Sequence, residues 1–200
     1  MSAATAVPAA WALYVPVGWH QLPALGEEPG PILRAIVDSY ELEPAARVEL
    51  SRSLVGLLDL VRVLKPGRRV SYGLVADAAK GVADAVLSVR VTKILDEGYG
   101  EYLAAIEQAT TGPSIRIINR EVAEARLPAG RVILLSDVLV QDDQQGIVSP
   151  ALERGIAALF LDALPVLLEI HVSTQNLGRF ANIAEFALEI AAGYAPDTGE

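Results

Sequence analysis

The chain has 200 residues, 52% of them hydrophobic but only 6% aromatic, and carries a formal net charge of −9. A chain of this order buries roughly 70% of the surface its unfolded form exposes, so a core of Val, Leu, Ile and Ala needs no covalent staple. The absence of cysteine excludes disulfides, thiolate metal sites, a cysteine nucleophile and cysteine lipidation; the acidic field repels phosphate backbones and disfavours nucleic acid as a partner.

Met1 to Val17 is apolar, but no Lys or Arg precedes Arg34, and Pro8 and Pro16 interrupt it, so it lacks the plan of a signal peptide. Trp11–Val15 reads as a short strand ending in the turn Pro16-Val17-Gly18-Trp19. A Gly/Pro/Glu loop leads into a short helix over Ile32–Tyr40, with Pro31 suited to its first turn. The clearest element is a helix from Pro44 to Leu64. Leu50, Leu54, Leu57, Leu58, Val61 and Leu64 form one apolar stripe on it, and Pro66-Gly67 stops it.

The period then changes to two. Val70, Tyr72, Leu74 and Ala76 alternate with Ser71, Gly73 and Asp77, and Leu87, Val89 and Val91 alternate with Ser88, Arg90 and Thr92. Such alternation predicts strands with one face buried. A short helix from Glu101 to Ala109 follows, then strands over Ile115–Ala125 and Arg131–Gln141. The run Val132–Val140 is apolar on both alternations apart from Ser136 and Asp137, which predicts a central strand. After a polar turn, Ile156–Leu161 and Val166–Ser173 make a last hairpin, with Val166, Leu168, Ile170 and Val172 on one face of its second strand. The other face carries Leu167, Glu169, His171 and Ser173. A C-terminal helix over Arg179–Tyr194 buries Phe180, Ile183, Ala187, Ile190 and Tyr194, and 195–200 is a flexible polar tail.

Strands joined by short turns predict the α+β class. The expected architecture is an antiparallel β-sheet of about six or seven strands with the long helix and the C-terminal helix packed on it. One domain spans 1–200, with a helical insertion at about 31–65. Ile156–Val172, the longest late apolar stretch, is broken by Asp162, Pro165 and Glu169 and falls short of a membrane span.

No pattern names a reaction. Gly98-Tyr99-Gly100 opens a helix as a phosphate loop would, but the third glycine is missing and Glu101 places negative charge where an anion would sit. The two histidines, His20 and His171, with scattered acids make a poor metal set, and Asp142-Asp143 lacks the further oxygens of a calcium loop. Glu169, His171 and Ser173 line one strand face without a nucleophile turn, so His171 reads as a surface or partner-contacting residue. Arg62, Lys65, Arg68 and Arg69 cluster at a helix C-terminus, where cations complement the dipole. Glu27-Glu28 lies in an open loop that gives no means of raising a carboxyl pKa. Trp11, Tyr14 and Trp19 gather near the first strand as core aromatics or, alternatively, as a partner-binding patch.

The opening Leu13-Tyr14-Val15-Pro16-Val17-Gly18-Trp19 and the close Leu168-Glu169-Ile170-His171-Val172-Ser173-Thr174, followed by an Asn-containing loop and a helix, resemble PsbP-like domains. The Leu127-Pro128-Ala129-Gly130-Arg131 hairpin is similar to one in a bacterial cytosolic branch of that group. The helix at Pro44–Leu64 is longer than many members carry there. The resemblance implies a binding or assembly accessory and transfers no catalytic residue.

The expectation from sequence is therefore a cytoplasmic, non-catalytic accessory protein that binds another protein through a sheet face or edge, with a homodimer as a further arrangement. No cofactor, nucleic acid or membrane is expected. The alternative is a small-molecule-binding protein or enzyme with a pocket between the long helix and the sheet, using Arg90, Glu169 and His171.

Overall fold

The computed structural model describes residues 11–12, 14–24, 26–63, 69–94, 98–108, 115–141 and 150–196. A small ladder pairs β1 (Trp11–Ala12) with β9 (Ala195–Pro196), so the start of the expected free tail is instead a strand. The main sheet has seven antiparallel strands: β2 (Trp19–Gln21), β3 (Arg69–Asp77), β4 (Val82–Lys93), β5 (Ile115–Leu127), β6 (Gly130–Gln141), β7 (Leu152–Leu161) and β8 (Val166–Thr174). Their spatial order is β2-β3-β4-β8-β7-β6-β5. Helices α1 (Pro29–Asp38) and α2 (Pro44–Val63) precede β3, α3 (Gly98–Gln108) follows β4, and α4 (Ile183–Ala192) follows β8. The α+β expectation holds.

The order has a simple origin. After β4 the chain crosses by α3 to the far edge, lays down β5, and returns strand by strand until β8 closes against β4. The middle strand is thus β8, whereas the apolar run of β6 lies second from the edge. That run is still paired on both sides and covered on both faces, which accounts for its composition.

Coverage of both faces is the main departure from the simple alternation. On one face α4 buries Ile183, Ala187 and Ile190 against Leu159, Leu168 and Ile170. On the other, α1 and α2 cover the β3–β4 end through Leu50, Leu54, Leu57 and Val86, and α3 covers the β6–β7 end through Tyr99, Tyr102 and Phe160. Hence Ser71 and Gly73 are buried while Val70 is exposed, the reverse of what hydrophobicity alone suggests for β3. Leu57 sits where a side chain at Gly73 would project.

The helix ends follow local chemistry. Asn182 takes extended backbone and its Oδ1 accepts from the Ala184 and Glu185 N–H groups at 3.1 Å, so α4 starts at Ile183 and not at Arg179. The expected stripe of α2 is observed at Leu50, Leu54, Leu57 and Leu58; Leu64 lies outside the described residues. Pro29, ahead of the expected Pro31, stands in the first turn of α1. No helix among the described residues is long and apolar enough to cross a membrane.

Candidate functional site

Between the apolar footprints of α2 and α3, the shared face of the sheet carries a band of polar side chains. Residues directly opposite one another on antiparallel strands point to the same face, so the register defines the band. Arg69, Arg90 and Glu169 form one cross-strand row over β3, β4 and β8. One step along, Ser71, Ser88 and His171 form a second. A third row continues from Ser173 through Arg154 and Asp137 to Arg120 on β5. The same pairing places Ile156 and Leu135 beside His171, so the polar path runs diagonally across the sheet.

Two buried carboxylates anchor the band. Glu169, 3% exposed in its side chain, accepts from the Arg90 guanidinium on one oxygen and from the Tyr102 hydroxyl at 2.7 Å on the other. Asp137 is fully buried and receives a two-pronged Arg154, at 2.9 Å from Nε and 2.6 Å from the terminal nitrogen, together with Arg120 at 2.9 Å. Arg120 also donates to the Ile106 carbonyl at 3.0 Å, which ties the last turn of α3 to the same network. The Ser71 and Ser88 hydroxyls hydrogen-bond at 2.9 Å.

Polar atoms of the band that lack a hydrogen bond although they are out of water include Arg69 Nε, His171 Nε2 and Ser173 Oγ. The His171 ring nitrogen stands 3.6 Å from Glu169, too long for a good hydrogen bond. A buried polar atom without a partner costs about 1–3 kcal/mol, so several on one face need a reason.

Burial by itself pushes the Glu169 carboxyl up, but the contacts from His171, Tyr102 and Arg90 outweigh it and hold the group at about 2. Burial dominates at His171 and lowers it below 6.5, with Glu169 opposing. Tyr102 is raised by burial and then by the adjoining carboxylate. At neutral pH the pair is therefore an ionised Glu169 beside a neutral His171.

A definite pH response follows. In the unfolded chain His171 takes up a proton near 6.5, while the folded chain resists it, so stability falls as pH drops below that value. The contribution of Glu169 is complete above its ordinary 4.5 and is lost as pH falls through about 2. His20, lowered by burial and bonded at 2.6 Å to the Tyr40 hydroxyl, adds to the upper step. Urea unfolding between neutral and mildly acid pH should show a shallower loss in His171→Gln than in wild type, and both imidazoles should titrate below 6.5 by NMR. A His171 titrating above that value would show that Glu169, not burial, controls the ring.

Of the residues singled out from sequence, Arg90, Glu169 and His171 converge here, and the expectation of a surface His171 is corrected: its side chain is only 11% exposed. Trp19 and Tyr14 do not join them. Trp19 stacks on Phe186 of α4 at 6.0 Å, Tyr14 is 69% exposed, and Trp11 lies in the β1–β9 ladder. Asp142 and Asp143, like Lys65 and Arg68 of the basic cluster, fall outside the described residues. Sequence reasoning missed Tyr102, Arg120 and Arg154 altogether; Asp137 alone left a trace, as an acid inside an apolar run.

Two cavities flank the band without including Glu169 or His171. One of about 500 Å³ lies along α2, lined by Ser53, Leu57, Asp84 and Asn176. The other, about 370 Å³, lies by Tyr99, Arg131, Phe160 and the β7–β8 turn. Among the described residues no cluster of three His, Asp or Glu side chains is arranged to hold a metal ion. No protein-family model and no curated protein sequence matches the chain.

Proposed function

We propose that the chain is a non-catalytic ligand-binding protein whose site is the polar band between α2 and α3. The observation that carries this reading is the set of unsatisfied buried atoms, Arg69 Nε, His171 Nε2 and Ser173 Oγ, on one helix-framed face. Preformed sites combine apolar walls with a few convergent polar groups, and this face has that composition. Catalysis fits less well. A carboxyl held at about 2 cannot donate a proton near neutrality, and among the described residues neither Ser173 nor any other hydroxyl hydrogen-bonds to His171. The resemblance of the chain ends to PsbP-like domains agrees with an accessory role.

The other expectation, a protein partner on a sheet edge, would fall on β5. That edge is long and exposes Ile118, but a bulge lies between Ile117 and Asn119, and Arg116, Glu121, Glu124 and Arg126 run along it. Bulges and charges of this kind discourage strand addition. An interior ligand site is the better supported reading.

The test is a small-molecule screen by thermal shift on wild type, His171→Gln and Ser173→Ala. A compound bound in the band stabilises wild type and loses most of that effect in both variants. Compounds that stabilise all three equally, or none that stabilises wild type, would refute the site.

A further inference from the structure

We infer that the ligand carries an anionic group, a carboxylate or a phosphate, which Arg69 and Arg90 receive at the β3–β4 end of the band. This rests on the ligand-binding reading above and names the chemistry of what binds.

The argument begins with a mismatch of charge. Arg69 and Arg90 lie directly opposite each other on β3 and β4. Like charges in that position repel. One carboxylate, Glu169, stands nearby, and it is already engaged by Arg90 and by Tyr102. Arg69 is half-buried, its Nε has no hydrogen bond, and among the described residues it has no ion-pair partner. Across the whole band four arginines face two carboxylates, in a chain whose formal charge is −9. A local excess of cations set into an acidic protein is the complement of a bound anion.

Geometry selects the same chemistry. Guanidinium forks match the planar oxygen pairs of carboxylates and phosphates, and two facing forks can clasp one such group from both sides. Ser71 and Ser88 lie one row further along, and the unsatisfied His171 nitrogen is opposite Ser88, so hydroxyl and imidazole groups stand ready for the rest of the ligand. The Arg90 side chain keeps 35% of its exposure, which leaves the pair open to solvent while Glu169 beneath it is closed off. A polyanion is a poor fit beside a surface of net negative charge, whereas a single small anionic group is not.

The lack of a close ion pair to Arg69 among the described residues, with Glu169 attracting it only from further off, produces an unusual sign. Replacing Arg69 with an apolar residue of similar length should stabilise the ligand-free protein, since it removes a partly desolvated cation, yet should weaken the response to anions.

The experiment uses the full chain at neutral pH and constant ionic strength, with chloride exchanged for phosphate in one arm and for succinate in the other. Thermal unfolding is read together with the His171 ring resonances. In wild type at least one anion at about 20 mM should raise Tm by about 2 °C or more over chloride and shift the His171 signals. In Arg69→Met the ligand-free Tm should rise, and the anion concentration needed for half the effect should increase about tenfold or more. Arg69→Lys, which keeps the charge but not the fork, should respond in between.

An unchanged anion response in Arg69→Met, or a lower ligand-free Tm in that variant, overturns the inference. If neutral compounds move the His171 resonances and neither anion does, the anionic ligand is wrong while the binding site stands. If nothing moves them, both readings fall.

Discussion

Asp137→Ala should lower stability by about 3–5 kcal/mol, the cost of stranding buried cations. Asp137 is enclosed on β6 and is the shared acceptor for Arg120 of β5 and Arg154 of β7, whose side chains are themselves only 16% and 22% exposed. Without the carboxylate, two guanidiniums from the strands on either side of β6 are left buried with no shared acceptor between them, and the last turn of α3 loses the geometry that holds Arg120 on the Ile106 carbonyl. Equilibrium unfolding in urea measures the loss. The triple variant Arg120→Met, Asp137→Leu, Arg154→Met should recover most of it, because an apolar replacement of a whole buried ion network is often neutral. A cost under about 1 kcal/mol for Asp137→Ala would mean that the arginines regain water by swinging outward, and that the band is open to solvent at this end.

Gly81→Ala should be the other severe substitution, at about 3 kcal/mol or more from two separate causes. Gly81 ends the tight turn between β3 and β4 at φ 70°, in the left-handed region that penalises any side chain. Its missing Cβ also makes room for α2: an added methyl would stand 2.5 Å from the Ala46 carbonyl and 2.7 Å from the Leu50 nitrogen. The helix would have to lift, taking Leu50 and Leu54 from the core and breaking the 2.9 Å bond from the Ser53 hydroxyl to the Gly81 carbonyl. Gly56, on the same helix, has open space where a Cβ would go, so Gly56→Ala should stabilise by up to about 1 kcal/mol. Urea unfolding of the two variants should move in opposite directions. A mild Gly81→Ala would show that α2 can shift without loss, and hence that it makes a soft wall for the site.

The legibility of the site followed the range of the interactions that build it. Glu169 and His171 could be placed on one face of one strand because they are two residues apart, and that much needs only the pleat. Their surroundings could not be read. The alternation Leu167, Glu169, His171, Ser173 resembles a solvated face, and hydropathy assigns it outward. The structure covers it with α3 and seals it with Tyr102, a residue 67 positions from Glu169. Arg90 lies 79 positions away. Likewise Asp137 looked like an interruption of an apolar strand until Arg120 and Arg154 were seen to meet it.

The sequence by itself determined the elements whose signals are local. These are the leucine stripe of α2, the alternating strands, the turn at Gly130, and the negative charge and cysteine-free composition that narrow the chemistry. The periods of helix and strand are properties of one backbone segment, so neighbouring residues suffice to reveal them. Only the tertiary structure decided which strands lie side by side and which helices roof which face. Pairing β8 with β4 instead of placing it at an edge puts Arg90 on Glu169, and the interval between α2 and α3 gathers the arginines that sequence had scattered. Strand order is a choice among alternatives nearly equal in local energy, settled by burial summed over the whole chain, and no short window of residues records it.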